Sequence, residues 1–435
     1  MMDLPPMAAP GPAPQAPPPQ LPGARIAGTQ PPEAPPWLAI LGIGEDGCDG
    51  LSPAARALLA GAEAVFGGAR HLALAAPLLR GEAHPWPSPM AGAYPAILAR
   101  RGRPVAVLAS GDPFRFGVGS ALARLVPAGE RVAVPAPSSI ALACARLGWA
   151  EQDCAVVSLC GRPPERVLPL LQPGARLLAL SADAGTPATL AALLTRHGFG
   201  PSRLHLLEAL GGPRERHRES RADSPGFPAP DPLNLVAVEV AAGPGARIVP
   251  LSAGLPDGFF EQDGQITKQE VRAVTLAALA PRQGERLWDI GLGSGSIAIE
   301  WLLRHPANRA LGIEPNPDRA ARAARNALSL GVPGLEVVAG EAPAALAGLP
   351  PPDAVFVGGG VSRPGVLEAA WAALPPGGRL VANGVTVEAE ASLLAARARW
   401  GGRLTRIGIE RLDSLGRLHA FRPAMTVTQY AAVKP

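Results

Sequence analysis

Three glycines at every second position, Gly291, Gly293 and Gly295, follow the apolar run Leu287-Trp288-Asp289-Ile290 and precede an apolar helical pattern that begins at Ile297. A strand, a tight turn and a helix N-terminus in that order bring backbone N–H groups close to a ligand, and the helix dipole favours polar or negative ligand groups there. Asp289 sits at the strand end, two residues before the first glycine. Glu314, 25 residues further on, ends the next apolar run, where a carboxylate can accept both hydroxyls of a ribose. Gly340-Glu341-Ala342 follows the third such run, where an adenine ring would lie. This is the chemistry of a nucleoside cofactor. Gly293, Gly295 and Ala298 also satisfy G-x-G-x-x-A, so a nicotinamide dinucleotide and a sulfonium nucleoside both stay open at this level, beside a plain glycine-rich turn.

The elements that must hold this turn are written around it. Hydrophobic periodicity predicts helices over 268–279, 297–304, 318–330, 366–373 and 388–400, and strands over 286–290, 310–314, 335–338, 354–357 and 379–383. Two more strands, over 404–412 and 425–433, end the chain with no helix between them, so a Rossmann-like sheet closed by an antiparallel hairpin is expected. Earlier in the chain, strands over 37–44, 64–68, 105–109, 132–134, 156–159, 177–180, 203–208 and 233–240 alternate with helices. That alternation predicts largely parallel sheets with the site loops at strand ends. The charged stretch 214–221 reads as an exposed hairpin or loop, or as a basic patch for an acidic partner. Residues 1–36, about one-third proline, read as a disordered tail or as a proline-rich ligand for a partner. A glycine and proline cluster marks a linker at 244–256, dividing the ordered chain into 37–243 and 257–435.

A chain of 435 residues suits two domains that each bury a core, and 47% hydrophobic with 17% charged residues fits a soluble globular protein. No apolar run reaches the roughly 18–20 residues of a membrane span and no secretory signal opens the chain, so a cytoplasmic protein without a membrane partner is expected. A net charge of +4 and 4% aromatic residues argue against a nucleic-acid partner. Cys48, Cys144, Cys154 and Cys160 form no CxxC pair, so no disulfide or metal site is expected. Lys268 and Lys434 are the only lysines. Lys268, beside Thr267, is therefore a candidate for holding a substrate carboxylate or steering a proton, against the plainer reading of a helix-start lysine.

The order Asp289-x-Gly291-x-Gly293-x-Gly295 resembles the first motif of class I S-adenosylmethionine-dependent methyltransferases, and Leu374-Pro375-Pro376-Gly377-Gly378-Arg379-Leu380 is similar to their late strand signature. With Gly264-Gln265-Ile266-Thr267-Lys268-Gln269-Glu270-Val271-Arg272, Gly340-Glu341-Ala342-Pro343 and Leu380-Val381-Ala382-Asn383-Gly384-Val385-Thr386, this part resembles the decarboxylating methyltransferases of corrin biosynthesis. The first part is similar to the tetrapyrrole methylases in Gly42-Ile43-Gly44, Val65-Phe66-Gly67-Gly68-Ala69-Arg70-His71, Ala109-Ser110-Gly111-Asp112-Pro113-Phe114, Pro137-Ser138-Ser139 and Glu208-Ala209-Leu210-Gly211-Gly212-Pro213. Its first loop departs from that pattern, with Glu45 and Asp46 where many members have Pro-Gly.

The resemblance implies an α/β protein with an N-terminal two-subdomain tetrapyrrole methylase fold and a C-terminal Rossmann-like class I methyltransferase fold. It implies S-adenosylmethionine as cofactor and a tetrapyrrole, precorrin-6B, as substrate. The first domain would methylate C5; the second would methylate C15 and remove the carboxyl of the C12 acetate, giving precorrin-8. Implied cofactor residues are Thr267, Asp289, Gly291, Gly293, Gly295, Glu314, Glu341 and Ala342 in the second domain. In the first they are Gly111, Asp112, Ser138, Ser139, Asp183, Thr186, Leu210 and Gly211, around a cleft between two subdomains. Asp112 and Lys268 are the candidate catalytic residues. Gly42, Gly44, Arg70, Arg115 and Arg363 are candidates for the substrate side, the arginines because a guanidinium pairs bidentately with carboxylates. A homo-oligomer is expected. Methyl transfer to another small molecule or to RNA, a nicotinamide oxidoreductase, and a non-catalytic interaction protein are the competing readings.

Overall fold

The computed structural model describes residues 36–435, so the tail, apart from Pro36, lies outside the described residues. Two compact units emerge, one taking the chain to Ile43 and Gly47–Ala136, the other Gly44–Asp46 and Pro137–Pro435.

The first unit is built on strands β1 (Leu38–Ile43), β2 (Ala64–Gly67), β3 (Glu82–Pro85), β4 (Val105–Ser110) and β5 (Arg131–Val134), in the order β3-β2-β4-β1-β5. All pairings are parallel. All six residues of β1 are buried, as a strand covered on both faces requires. Its alternate residues feed two cores: Leu38 and Ile40 join one, Ala39, Leu41 and Ile43 the other. Helices α1 (Pro53–Ala60), α2 (Ala69–Ala75), α3 (Tyr94–Leu98) and α4 (Gly119–Leu122) connect the strands. Ser52 caps α1, its hydroxyl accepting from Ala55 N. The strand β3 was not expected: Glu-Ala-His-Pro is polar and mostly exposed, and only its place beside β2 makes it a strand.

The second unit begins with α5 (Ser139–Leu147) and a mixed sheet of β6 (Cys154–Ser158), β7 (Arg176–Leu180), β8 (Arg203–Glu208), β9 (Arg216–Arg221) and β10 (Asn234–Glu239), with α6 (Thr186–Arg196) after β7. The order is β6-β7-β10-β8-β9. Only β6 and β7 run parallel, which corrects the expectation of a largely parallel second sheet. The stretch 214–221, expected as an exposed hairpin or loop, contains β9, the edge strand of an antiparallel hairpin with β8. Its arginines escape mutual repulsion because Arg216 and Arg218 both donate to the carboxylate of Glu208, which is fully buried. Burial pushes that carboxyl up, but the two guanidinium groups and the Asp231 N–H override it and hold it at about 2. This basic stretch is therefore partly neutralised from within.

The rest of the unit carries β11 (Arg286–Ile290), β12 (Arg309–Glu314), β13 (Leu335–Ala339), β14 (Ala354–Val357), β15 (Arg379–Gly384), β16 (Arg403–Ile407), β17 (Glu410–Leu415), β18 (Leu418–Pro423) and β19 (Val427–Val433). Its helices are α7 (Gln269–Leu279), α8 (Ser296–Arg304), α9 (Pro317–Ser329), α10 (Val366–Ala373) and α11 (Val387–Trp400). Seven strands form one sheet in the order β13-β12-β11-β14-β15-β19-β16, parallel except where β19 pairs antiparallel with β15 and β16. This is the expected Rossmann-like layout. Helices α8 and α9 pack over one face, with Leu287, Ile297, Trp301 and Phe356 in the core. The other face packs Val355, Val357, Leu367, Leu380 and Leu393. Each such Leu, Ile or Val side chain contributes about 1.5–3 kcal/mol on burial.

The end of the chain differs from expectation. The apolar pattern over 404–412 is not one strand: β16 stops at Ile407, and Glu410 starts a separate hairpin in which β17 pairs only with β18. Among the described residues no helix is long and apolar enough to cross a membrane.

Candidate functional site

The strand order of the large sheet reverses between β11 and β14, and in such sheets ligands bind outside the carboxyl ends of the strands at that point. A cavity of about 670 Å³ opens there. Thr267, Lys268, Asp289, Gly291, Gly293, Glu314, Glu341, Ala342 and Arg363 all line it. The sequence spreads these nine over 97 positions (267 to 363), and the fold gathers them. Gly295 is the exception. It takes φ +79° at the N-cap of α8, and a Cβ there would lie 3.1 Å from Ala323 Cβ, so it starts the helix and lets α9 approach without lining the cavity.

Asp289 is the most perturbed acid of the site. It is buried, and its Oδ2 accepts from Ala298 N at 3.1 Å, tying the strand end to the first turn of α8. Burial pushes its carboxyl up to about 7; the Ala298 N–H acts against this and the charge of Glu314 adds to it. The sign of the stability effect follows. Below the unfolded value of 3.8 both states hold the proton. Between that value and about 7 the folded state keeps a proton that the unfolded chain releases, so stability falls as pH rises, and above about 7 the loss is complete. Asp289→Asn removes the ionisation and keeps an acceptor for Ala298 N. It is expected to match the wild type near pH 4 and exceed it in unfolding free energy at pH 8, by on the order of 4 kcal/mol at most. Urea titrations of both proteins at the two pH values check this; parallel stability profiles would show that Asp289 does not titrate there.

Glu314 is nearly buried. One carboxylate oxygen accepts from Gly293 N at 2.8 Å and the other from Asn316 N at 3.0 Å, so the expected ribose acceptor also fastens the glycine turn. Arg363 forms an ion pair with Glu341, so these two expected contacts neutralise one another. Lys268 caps α7 with its backbone, and its ammonium stands 3.8 Å from Asp257 with 43% of its side chain exposed. It is the loosest cation of the cavity wall.

Several residues of the site were not singled out from the sequence. Arg319, paired with Asp263, and Arg411, paired with Glu270, line the cavity from α9 and the base of the terminal hairpin. Asn383 lines it from the end of β15, fixed by donating to Thr275 Oγ1 at 2.9 Å and accepting from Gln429 Nε2 at 3.0 Å. Asn383 stands inside the quoted stretch Leu380–Thr386, a signal available and not used. Behind the cavity, Arg272 and Glu300 are fully buried, Nε to Oε1 at 2.6 Å, and Glu300 also accepts from Gly254 N and Leu255 N.

The expected residues of the first half fall in both units. In the first unit, Gly111 and Asp112 follow β4. Asp112 Oδ1 accepts from Phe114 N at 2.8 Å, so one oxygen of this candidate catalytic acid shapes its own turn. Arg70 and His71 both reach Ser110 Oγ, at 3.0 and 2.8 Å. Burial, then the charge of Arg70, lowers His71 to about 4, so it is neutral at physiological pH. Arg115 is half-buried beside this loop. Gly42 is buried, and a Cβ on it would stand 1.8 Å from Gly111 O and 2.4 Å from Ala136 N. Its smallness serves that backbone packing.

In the second unit, Ser138 caps α5 by accepting from Ala141 N, with Ser139 opening the helix. Asp183 Oδ1 accepts from Gly185 N, Thr186 N and Thr186 Oγ1, so the pair closes its own loop before α6. Leu210 is buried in the core under α5, and Gly211 N donates to Glu215. Gly44 lies against Asp46, and Glu45, the unexpected acid of that loop, pairs with Arg214 at 3.5 Å. The acid is thus countered within the fold.

A model of the precorrin methyltransferase domain matches residues 258–434, and one of the tetrapyrrole (corrin/porphyrin) methylases matches residues 38–225. The precorrin-6Y C(5,15)-methyltransferase (decarboxylating) of Sinorhizobium sp is 57% identical over 411 residues, 94% of this chain and 100% of that one. The protein of the same name from Mycobacterium tuberculosis (strain CDC 1551 / Oshkosh) is 42% identical, over 91% of this chain and 100% of its own. A shorter relative, the cobalt-precorrin-6B C(15)-methyltransferase (decarboxylating) of Salmonella typhimurium, is 33% identical over 39% of this chain and 89% of its own.

Proposed function

The chain belongs to the precorrin-6Y C(5,15)-methyltransferase (decarboxylating) family, and from that premise we propose how its parts divide the reaction. It is an S-adenosylmethionine-dependent enzyme of cobalamin biosynthesis that methylates a precorrin at C5 and C15 and decarboxylates it. Residues 37–243 methylate C5. Residues 257–435, joined through 244–256, methylate C15 and release the C12 acetate carboxyl as CO2, giving precorrin-8. The relative named for the C15 step alone, matching 39% of this chain, supports the split.

The observation that carries the C-terminal assignment is the cavity itself. It joins a nucleoside-type turn to a wall bearing Lys268, Arg319, Arg363 and Arg411. The turn leaves room for the cofactor: the Cβ position of Gly293, which lines the cavity, meets nothing nearer than 3.8 Å. Gly291, Gly293, Glu314 and Ala342 would hold the nucleoside, and a cationic ligand group at this edge would lower the cost of ionising Asp289. S-adenosylmethionine supplies a methyl group activated on a sulfonium, so the protein's task is in-line positioning with water excluded. The arginines exchange their internal carboxylates for those of the macrocycle. Lys268, the least constrained, takes the acetate carboxylate and steers the proton that replaces CO2, while Asn383, locked by Thr275 and Gln429, orients the ring edge.

In the first half, Gly111 and Asp112 of the first unit and, separately, Ser138, Ser139, Asp183, Thr186, Leu210 and Gly211 of the second are proposed as cofactor contacts of the C5 step, and Arg70 and Arg115 as partners of substrate carboxylates. Asp112 keeps one carboxylate oxygen beyond its turn bond for the reaction. Purified enzyme with labelled S-adenosylmethionine and precorrin-6B is expected to transfer two methyls and release one CO2 per macrocycle. Cofactor binding with no methyl transfer would overturn the reading.

The chain acts as a homo-oligomer in the cytoplasm, where S-adenosylmethionine is made. What supports assembly is the terminal hairpin, where Leu412, Leu415, Leu418 and Phe421 are each 59–72% exposed, an apolar group of the kind that marks association surfaces. Sedimentation at micromolar concentration is expected to give a multiple of 44.4 kDa, and a monomer would refute the assembly.

A further inference from the structure

The sheet edge formed by β8 and β9 holds a group of side chains that the methyl-transfer reaction does not use. His205 and Glu219 are directly paired across the two strands, and His217 lies two residues from Glu219 on the same strand face. The alternation of the strands therefore points all three side chains to one side. His205 Nδ1 is 3.2 Å from His217 Nε2 and 3.4 Å from Glu219 Oε1, and His217 Nε2 is 3.8 Å from the same oxygen. Three ligands around a tetrahedral zinc at bonds of about 2.0–2.1 Å stand roughly 3.3 Å apart, and an octahedral arrangement would bring them closer. The triangle has the tetrahedral size.

The protonation is also set for it. On the far side of the ring, His205 Nε2 lies 3.0 Å from Glu239 Oε1, a carboxylate of the neighbouring strand β10. With the Nε2 proton given to Glu239, Nδ1 presents its lone pair toward His217 and Glu219. A carboxylate behind a ligating imidazole is the usual outer support of a histidine metal ligand, where it fixes the tautomer and raises basicity. His205 is 4% exposed and is further held by the edge of the Trp149 ring, centroids 5.7 Å apart. One ligand is thus rigid, while His217 and Glu219 are open to solvent, at 36% and 48% of their side chains, giving a path for entry and a place for a water as fourth ligand. Arg203 lies 3.6 Å from Glu219. It fits a carboxylate that binds through one oxygen and keeps the other for the arginine.

We propose that His205, His217 and Glu219 form a binding site for a divalent transition metal, zinc by donor set and geometry, that staples the edge strand β9 to β8. Binding through His217 Nε2 moves that ring's one proton to Nδ1 by exchange with solvent, so both imidazoles ligate in their neutral form. The residues that follow β8, Leu210 and Gly211, stand in the loop proposed to contact the cofactor of the C5 step, so the staple steadies the strand from which that loop departs.

The test uses the full-length chain without a polyhistidine tag, stripped with a chelator and titrated with zinc alone against a chromophoric competitor. One zinc per chain is expected to bind at micromolar concentration or below, and zinc is expected to raise the melting temperature. His217→Ala should weaken that site at least ~100-fold and abolish the thermal shift, and Glu239→Gln should weaken it about 10-fold through the His205 ring. Glu219→Gln, at an exposed position, provides a second ligand change should His217→Ala not fold. Replacing zinc by Co²⁺ should give the intense visible bands of a four-coordinate site, absent in either ligand variant. Equal zinc affinity in wild type and both ligand variants, or no zinc bound by the wild type, would overturn the assignment.

Discussion

A chain carrying Gly291→Ala is expected to deliver one methyl group to each macrocycle instead of two and to release no CO2. The reason is local. Gly291 has φ +78°, which costs a residue with a side chain about 1–2 kcal/mol, and its Cβ would stand 2.6 Å from Gly359 N and 2.7 Å from Gly359 Cα. Both are backbone atoms, so relief requires the turn after β11 to move away from the turn after β14, at the switch point where the cavity opens. The N–H groups and the Glu314 tie move with it. Gly293→Ala makes the contrast. Its φ of +57° is also left-handed, but nothing lies within 3.8 Å of the added methyl, which enters the ligand's space without displacing the chain. It should cost only that left-handed strain, lowering the melting temperature less than Gly291→Ala does, and raise the KM for S-adenosylmethionine at the C15 step. Retained C5 methylation in Gly291→Ala is the decisive reading, because general unfolding would remove both methylations. The reciprocal change, Asp112→Ala, should spare CO2 release and remove the C5 methyl. If Gly291→Ala keeps both methyl transfers, or loses C5 methylation alone, the division of labour is wrong.

The Gly291 turn was legible because every signal for it is short-range. An apolar run, an acid, three spaced glycines and an apolar helix lie within 14 consecutive residues, 287–300, and the elements β11 and α8 appear within one residue of the expected positions. What the sequence concealed depends on partners far along the chain. The run Arg216–Arg221 looks unfit for a strand until Glu208, on β8, is seen to absorb two of its charges. The apolar alternation over 404–412 continues through Gly408 and gives no sign that one half joins β19 while the other leaves for its own hairpin. At the site the same division holds. Thr267, Glu314 and Glu341 stand at strand ends or a helix start, where position alone suggests a role. Arg319 and Arg411 sit among many other arginines, and only tertiary structure selects them. Ser138, Asp183 and Thr186 show the opposite difficulty: residue types suited to a polar ligand are also those suited to capping and closing loops, and here their visible bonds are of that kind.

Arg272 is the clearest case of a concealed residue, since a helix-start arginine reads as solvated and this one is completely buried. Its environment predicts the largest stability effect in the C-terminal part. Its guanidinium donates to Glu300 Oε1 at 2.6 Å, to Asp257 Oδ1 at 3.1 Å and to the carbonyls of Thr267 and Leu255, and it lies over the Phe260 ring. Glu300 in turn takes the N–H groups of Gly254 and Leu255 at 2.7 and 2.9 Å. The pair therefore clamps the chain from 254 to 267 against α7 and α8, and that segment delivers Thr267 and Lys268 to the cavity. Removing one partner of a buried ion pair costs about 3–5 kcal/mol, because the other charge is left without compensation. Glu300→Ala also orphans two backbone donors. For a domain of this size the loss corresponds to a fall in melting temperature of roughly 6–20 °C, confined to the C-terminal transition in calorimetry. Methylation at C15 and CO2 release should fall together below that temperature as Lys268 loses its anchor, with C5 methylation unaffected. The double replacement Arg272→Met with Glu300→Leu separates the two contributions. It removes both charges, so it should recover part of the melting temperature while leaving the 254–267 segment untied and the C15 step impaired. A Glu300→Ala protein melting with the wild type would mean that solvent reaches this pair, and that the segment carrying Lys268 is held by something other than the clamp.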